Sequence, residues 1–196
     1  MSYHIYQTEG LVLGGFNMGE SNRHLYIFTK DLGLISASVQ GVRELKSKLR
    51  YSLQDFTYAN FDIVRGKQVW RVTNAGAICT LKFLTNDREK QIIFANIISL
   101  IKRLFTGEAQ QEILFDDIVS GFLFLKNKEF SKVQLQYFEI IMVLKILNHL
   151  GYWGEQKEFD VFLQKRPWNK EFLDEIALLK SKALHDINNA LKETHL

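Results

Sequence analysis

Apolar and polar residues alternate along the first part of the chain, and this alternation is typical of β-strands. A Gly14-Gly15 pair that follows the first alternating run indicates a break or a bulge. Short strands joined by glycine-containing turns, with one longer polar connection, favour a small barrel or sandwich. The runs predict five strands, at residues 3–13, 24–29, 34–39, 56–64 and 68–73.

The period changes after residue 80, where apolar residues recur at steps of three and four positions. Asn86 or Asp87 is expected to cap the first helix, and Gly151 to follow the end of the third. The two periods predict an α+β chain, with a β-domain at residues 1–80 and an all-α domain at residues 81–196. The helices are expected at about 86–106, 110–126, 131–149 and 168–193.

Composition indicates a globular protein, because 46% of the 196 residues are hydrophobic and 24% are charged. The one cysteine, Cys79, excludes an intramolecular disulfide, and we expect it to be a small buried hydrophobe. The N-terminus lacks the pattern of a signal peptide. The longest apolar stretch, at 92–101, is about half of a membrane span. A soluble, cytoplasmic protein without membrane contact is expected.

Positive charge is concentrated in the first part of the chain. Residues 1–80 contain nine Lys and Arg against six Asp and Glu, whereas residues 81–196 contain sixteen of each. Flexible cations beside a barrel can neutralise phosphates without demanding a base sequence, although a solvated loop is the ordinary alternative. The densest cluster lies in GVRELKSKLRY at 41–51, where Glu44 alone opposes Arg43, Lys46, Lys48 and Arg50.

Other candidates for contact with a polyanion lie nearby in the sequence. Arg65 and Lys67 flank the glycine of a predicted hairpin, and Lys30 precedes a turn. Tyr51 is expected to lie outside the core, where a base could stack on it. Most of the other aromatic residues of the β region are expected to pack inside the barrel.

Three stretches of the β region carry motifs of a known family: TEGLVL at 8–13, GESNRHLYIFTKDLGLISASVQGVRELKSKLR at 19–50 and LQDFTYANFDIVRG at 53–66. They resemble the N-terminal domain of the RecO family of bacterial recombination mediators. The helical ending YFEIIMVLKILNHLGY at 137–152 is similar to that family but less specific. The matching positions are Gly19, Glu20 and Arg23 in one turn, Phe28, Thr29, Lys30 and Gly33 in the next strand and turn, and Gln40, Gly41, Val42 and Arg43 before the basic cluster.

The resemblance implies an OB-fold N-terminal domain, a five-stranded β-barrel, followed by a helical domain. It also implies binding of single- and double-stranded DNA and annealing of complementary strands, at the nucleoid of the cytoplasm. RecR and the single-stranded-DNA-binding protein would be partners, and RecA would be loaded during repair. The DNA-binding candidates are Arg43, Lys46, Lys48, Arg50, Lys67, Arg65, Lys30 and Tyr51.

The chain departs from many RecO family members at one point. Those members insert a four-cysteine zinc site after the Gly-Tyr ending, whereas residues 151–167 contain no cysteine. We therefore expect no zinc-finger insert and no other cofactor. The five histidines show no metal-ligand spacing, and no nucleophile, phosphate-loop or metalloprotease motif is present. The chain is not expected to be an enzyme.

Two other functions are compatible with the sequence. One is a protein-interaction adaptor whose helical domain holds a partner's peptide, and the other is an RNA-binding OB module. The family resemblance implies that the acidic, apolar C-terminal tail of the single-stranded-DNA-binding protein docks on the helical domain. Candidate cations at such a groove, otherwise expected on solvated faces, are Lys102, Arg103, Lys132 and Lys145. For Arg23, the favoured interpretation is a turn-locking ion pair with Glu20.

Overall fold

Strands give way to helices near residue 80 in the computed structural model, as the change of periodicity predicts. The structure describes residues 4–105, 107–126 and 129–193. The chain divides into two folded units. The first comprises Met1–Lys82 and Phe105–Phe115, and the second comprises Phe83–Leu104 and Asp116–Leu196.

Five strands form the first unit. They pair in the order β1-β2-β3-β5-β4, and β4 pairs back with β1, so that the strands close into a ring. Only β3 and β5 run parallel. A five-stranded ring of this kind is the OB-fold arrangement, and the predicted fold class, an OB-fold followed by helices, is confirmed. The strands are β1 Ile5–Met18, β2 Asn22–Thr29, β3 Gly33–Val39, β4 Thr57–Arg65 and β5 Trp70–Thr80.

Alternation along the strands decides which side chains fill the ring. Leu25 and Ile27 of β2, with Ile35 and Ala37 of β3, are buried in its apolar core. Fully burying a Leu or Ile side chain contributes about 1.5–3 kcal/mol, so this register is strongly favoured. The residues between them point out of the ring, because successive side chains of a strand lie on opposite faces.

The first strand is longer than predicted. A bulge lies between Val12 and Gly14, as the glycine pair indicates, but β1 then continues to Met18 instead of ending there. Gly15 allows this continuation, because a Cβ atom at that position would lie 2.0 Å from the carbonyl oxygen of His24 on β2. Of the two predicted alternatives, a break or a bulge, the bulge is present, and only the predicted end of β1 at residue 13 is wrong. The fifth strand also extends beyond its predicted end, to Thr80.

The first three predicted helices of the second region agree with the structure to within a few residues, whereas the fourth is interrupted. Short 3₁₀ turns at Lys157–Phe159 and Glu175–Leu179 accompany the helices near the C-terminus. Buried residues continue at helical spacing on both sides of the second turn, which explains why the sequence predicts one helix there. The helices are α1 Leu49–Ser52, α2 Arg88–Leu104, α3 Glu112–Phe124, α4 Lys132–His149, α5 Asp160–Leu163, α6 Lys170–Asp174 and α7 Lys180–Glu193.

Side-chain caps define several helix ends. The Asp87 carboxylate accepts hydrogen bonds from the amides of residues 89 and 90 at 2.9 and 3.2 Å, which confirms one of the two predicted caps of α2. Ser131 and Gln134 form a reciprocal capping box at the start of α4. Gly151 follows the end of α4 with φ +76°, as expected of a residue after a helix C-cap. Among the described residues, no helix is both long enough and apolar enough to cross a membrane.

Candidate nucleic-acid interface

Residues 41–51, the basic loop, connect β3 to β4 and are held against the turn between β1 and β2. The amide of Arg43 donates to the carbonyl oxygen of Ser21 at 3.0 Å, and its guanidinium donates to that of Gly19 at 3.1 Å. The amide of Gly41 donates to Oδ1 of Asn22 at 3.0 Å. These bonds fix the start of the loop beside the β1–β2 turn.

The side chains of the basic loop separate into buried anchors and exposed cations. Val42, near the start of the loop, and Leu53, two residues past its end, are 4% and 1% exposed and belong to the core of the ring. Tyr51 is 75% exposed, which confirms its predicted position outside the core. The exposed cations form no ion pair within the parts of the chain that the structure describes; they are Arg43, Lys46, Lys48 and Arg50.

The turn between β4 and β5 carries two further candidates in different surroundings. Arg65 pairs with Glu108, and its guanidinium lies 4.8 Å from the centre of the Trp70 ring. Trp70 also donates its indole N–H to Glu108 at 2.9 Å. Lys67 is exposed and has no ion-pair partner among the described residues. Lys67 is therefore the cation of this turn that is available to a phosphate.

A groove of about 630 Å³ lies at the β4–β5 turn. Ser38 and Arg71 form one part of its lining, and Arg65, Gly66 and Lys67 form another. Arg71 is exposed and, among the described residues, carries no ion pair. Sequence reasoning missed Arg71, although its alternation with the buried Trp70 and Val72 indicates that it points outwards.

Lys30 lies in a more neutral environment than the basic loop. Its ammonium is 3.3 Å from the Glu112 carboxylate, and its side chain is 23% exposed. The segment Phe105–Phe115 thus supplies an acid to Lys30 and another, Glu108, to Arg65. Both cations would exchange a carboxylate for a phosphate on binding a polyanion, whereas the cations of the basic loop have no carboxylate partner among the described residues to give up.

Arg23 corrects one prediction. Its guanidinium pairs with Asp55 at 2.6 Å and donates to the carbonyl oxygen of Leu53 at 3.0 Å, so the predicted pair with Glu20 is wrong. The bidentate contact joins the start of β2 to the segment before β4, which lies 30 residues away in sequence. Arg23 therefore fixes the far end of the basic loop.

Aromatic side chains form a second feature that sequence reasoning missed. Phe16 of β1 lies opposite His24 of β2, their ring centres are 4.9 Å apart, and the rings are inclined by only 22°. Tyr26 approaches the His24 ring edge-on at 5.9 Å. Phe16 and Tyr26 are 50% and 36% exposed, so both are exceptions to the expectation that most aromatic residues of the β region pack inside the barrel. In the sequence, the alternation of His24 and Tyr26 with the apolar, buried Leu25 indicates that both rings point outwards.

The register places one aromatic pair and one cation in a single row across four strands. Phe16 pairs with His24, His24 with Ser38, and Ser38 with Arg71. We call these four residues the outer row. Neighbouring strands lie about 4.8 Å apart, so the row extends over about 14 Å. OB-folds bind oligonucleotides on the face of strands 2 and 3 and on the loops between strands 1 and 2 and strands 4 and 5, and the outer row crosses that face.

The helical unit contains an apolar groove between α2, α4 and α7, of about 370 Å³. Leu184 and Ile187 contribute apolar surface, and Arg103 lies at the same groove. A second groove contains Lys132, whose ammonium is 3.5 Å from Glu89.

Lys145 corrects another prediction, because its side chain is only 1% exposed and does not lie on a solvated face. Its ammonium donates to Asp117 and to the carbonyl oxygen of Gln164, both at 3.0 Å. His149 lies 3.9 Å from the same carboxylate. Lys145 is therefore part of the interior and not a candidate for a groove. Cys79 is half-buried, and so is less buried than expected.

Comparison with known proteins agrees with the resemblance seen in the sequence. Residues 1–80 match the family model described as "Recombination protein O N terminal". The chain is 26% identical over 148 residues to the DNA repair protein RecO of Clostridium novyi (strain NT), an alignment that covers 76% of this chain and 57% of that protein. It is 28% identical over 155 residues to the DNA repair protein RecO of Dehalococcoides mccartyi (strain CBDB1), and that alignment covers 79% of this chain and 60% of that protein.

A third relative is the DNA repair protein RecO of Desulfitobacterium hafniense (strain DSM 10664 / DCB-2), at 29% identity over 149 residues. That alignment covers 76% of this chain and 52% of the relative. The chain thus spans between about half and three fifths of the length of the curated relatives it matches. The predicted resemblance to the RecO family is confirmed.

Proposed function

Because its first 80 residues match the N-terminal family of RecO, we propose that this chain is a non-enzymatic mediator of DNA repair and recombination. It binds single- and double-stranded DNA through the OB unit and anneals complementary strands at the nucleoid. The observation that carries the proposal is the basic loop, whose four cations are exposed and without ion pairs among the described residues. The loop is anchored at both ends beside the β1–β2 turn.

The electrostatics of this surface suit a partner with repeated negative charges. Arg43, Lys46, Lys48 and Arg50 lie on one loop, and Lys67 and Arg71 lie at the β4–β5 groove. Each phosphate neutralised by a cation releases counterions, so affinity is gained without reading a base sequence. Contacts of this kind position the strand but do not specify it.

Annealing follows from the same contacts without covalent chemistry. Two DNA strands repel each other through their phosphates, and a cationic surface that screens both backbones lowers this repulsion. Phosphate contacts leave the base edges of each strand free to pair. A surface with several exposed Lys and Arg side chains suits this role.

The helical unit is the proposed site for protein partners. We infer that the acidic, apolar tail of a single-stranded-DNA-binding protein docks in the groove between α2, α4 and α7. Leu184 and Ile187 offer apolar surface there, and Arg103 offers a charge for a tail carboxylate. RecR would bind the same chain, and the assembled proteins would load RecA on the bound strand.

Strand annealing tests the proposed function directly. Two complementary oligonucleotides, one with a fluorophore and the other with a quencher, report duplex formation as loss of fluorescence. The full chain should accelerate this loss, and a variant with all four loop cations replaced by Ala should not. If the parent does not accelerate annealing, or if the variant anneals as fast as the parent, the proposal is contradicted. The four changes are Arg43→Ala, Lys46→Ala, Lys48→Ala and Arg50→Ala.

A matched control separates the position of the charges from their number. Four exposed lysines of the helical unit can be replaced by Ala, which changes the formal net charge from +3 by the same amount. This control should anneal like the parent, because its changes lie outside the OB unit. Equal loss in both variants would mean that only net charge matters. The control residues are Lys157, Lys165, Lys182 and Lys192.

An adaptor function is a second candidate, favoured by the apolar groove of the helical unit. Leu184 is 41% exposed and lies at this groove together with Leu100, Ile140 and Val143, so the exposed apolar surface is grouped and not isolated. An adaptor would bind an acidic tail peptide while showing weak or no DNA binding. Calorimetry with such a peptide, beside the annealing assay, distinguishes the two functions: peptide binding without annealing supports the adaptor.

A further inference from the structure

The exposed ring of Phe16 has one face covered and the other open. His24 stacks on one face, with ring centres 4.9 Å apart. On the other side of β1, pairing with β4 runs from Ile5 only as far as Leu11, so within the described chain no strand pairs with β1 there beside Phe16. The side chain is 50% exposed although a neighbouring ring packs against it. The free face is thus available to a planar group.

The ring behind Phe16 is itself held in place. A hydrogen bond of 2.5 Å joins Nε2 of His24 to Oγ of Ser36, and Tyr26 packs edge-on against His24. The three rings therefore form a supported stack and not a lone mobile side chain. A preorganised platform loses little conformational entropy when a ligand stacks on it.

We propose that Phe16 is a stacking platform for an unpaired base of single-stranded DNA. This inference rests on the proposed function and adds how the OB unit distinguishes an unpaired strand from a duplex. The base would extend the stack of Phe16 on His24. Arg71 and Lys67 lie at the groove at the other end of the outer row, about 14 Å away, and would neutralise phosphates farther along the strand. A base in a duplex is already stacked on both faces and cannot occupy the platform without being flipped out.

Charge and polarity favour a nucleic acid over an apolar protein partner on this face. The outer row ends in Arg71, and the neighbouring outward positions of β3 are Ser36 and Ser38. An apolar protein surface would leave the exposed Arg71 guanidinium without hydrogen-bond partners. The hydroxyl groups of Ser36 and Ser38 bond to His24 and to the carbonyl oxygen of Trp70, and they keep this face polar. An exposed aromatic ring on a face that also carries cations is the combination that binds unpaired strands.

The test compares Phe16→Ala with the parent by fluorescence anisotropy, using labelled oligodeoxythymidine, a duplex of equal length and an oligomer of abasic deoxyribose phosphate. Stacking of one base contributes about 1–3 kcal/mol, so affinity for the unpaired strand should fall by about 5- to 150-fold. Affinity for the duplex and for the abasic oligomer should stay as in the parent. The dependence of single-strand binding on salt should also stay unchanged, since no phosphate contact is lost.

Two further variants of Phe16 and one control variant keep the outcome decisive. Phe16→Trp retains a stacking ring and should bind at least as well as the parent, whereas Phe16→Leu retains apolar bulk and should bind like Phe16→Ala. Ile78→Ala removes a side chain of β5 that is 47% exposed and serves as the control for loss of surface apolar area.

The outcomes separate this inference from the proposed function. If the parent binds no single-stranded DNA, the proposed function fails. If the parent binds single-stranded DNA and both Phe16→Leu and Phe16→Ala bind it as tightly as the parent does, the platform is refuted while the proposed function stands. Loss of binding to single-stranded RNA alone, with DNA binding unchanged, also refutes the platform for DNA.

Discussion

Replacing Lys145 by Met tests how the helical unit holds two opposite charges in its interior. Lys145 and Asp117 have side chains 1% and 5% exposed, and their charged atoms are 3.0 Å apart. The ammonium also donates to the carbonyl oxygen of Gln164 at 3.0 Å. Removing the ammonium leaves the Asp117 carboxylate buried without its principal partner.

The size of the effect follows from this burial. Breaking a buried pair by removing one partner costs about 3–5 kcal/mol, and the remaining Asp117 carboxylate would keep only the more distant His149, at 3.9 Å. Domains are stable by about 5–15 kcal/mol in total, so Lys145→Met should remove a large share of the stability of the helical unit. Removing both charges, with Lys145→Met and Asp117→Leu together, should recover about 2 kcal/mol or more, because no unpaired charge is left.

Urea unfolding followed by circular dichroism at a helix-sensitive wavelength measures these differences. The single variant should unfold at markedly lower urea than the parent, and the double variant should unfold between the two or above the parent. A loss below about 0.5 kcal/mol in Lys145→Met, the range of ordinary surface changes, would refute the reasoning. A double variant less stable than the single one would also refute it.

Three other perturbations test separate parts of the structure. Burial raises the pKa of Asp117, but His149 and Lys145 hold that pKa below its usual range in the folded protein. A carboxylate with a lowered folded-state pKa stabilises the fold at pH values above its unfolded pKa of about 3.9. The free energy of unfolding in urea should therefore fall as the pH drops through and below that value, and it should fall less steeply in Asp117→Asn. Ser131→Ala should cost about 1 kcal/mol in urea unfolding through loss of the α4 cap; no loss would contradict the cap. Gly15→Ala should lower the melting temperature, because the added Cβ would lie 2.0 Å from a backbone oxygen. Gly76→Ala is the control, because a Cβ at that position would have no atom within 4 Å. Equal melting temperatures for the two variants would contradict this reasoning.

Local patterns predict the features of the fold that depend on neighbours in sequence. The alternation of apolar and polar residues predicts the strands, and apolar residues spaced by three and four positions predict the helices. The density of positive charge predicts the basic loop. The capping residue Asp87 is found in the same way, because its bonds reach only two and three residues along the chain. The glycine pair correctly indicates a bulge, but the pattern cannot show that β1 continues beyond it.

Contacts between distant residues account for the differences. Arg65 meets Glu108, 43 residues away, and Arg23 meets Asp55, 32 residues away, so neither partner follows from local spacing. Lys145 comes seven residues after Phe138 and four residues after Ile141, which places all three on the same face of α4. Because that face is buried, the burial of Lys145 could have been predicted from the sequence. Its partner Asp117, 28 residues away, could not.

The aromatic stack was missed for a related reason. The first strand is predicted to end at residue 13, before Gly14-Gly15, so Phe16 belongs to no predicted strand and its outward direction could not be assigned. His24 and Tyr26 alternate with Leu25 and Ile27, so their outward direction was available from the sequence. Only the register between β1 and β2 brings Phe16 against His24.

The salt dependence of single-stranded DNA binding tests most directly whether the basic loop grips phosphates. Each phosphate contact on a single strand contributes about 0.7 to the slope of log affinity against log salt concentration. Loss of Arg43, Lys46, Lys48 and Arg50 should reduce that slope by about 3 and weaken binding equally for strands of different sequence, while the variant melts like the parent. An unchanged slope and affinity in a folded quadruple variant would contradict the loop as the DNA-binding surface.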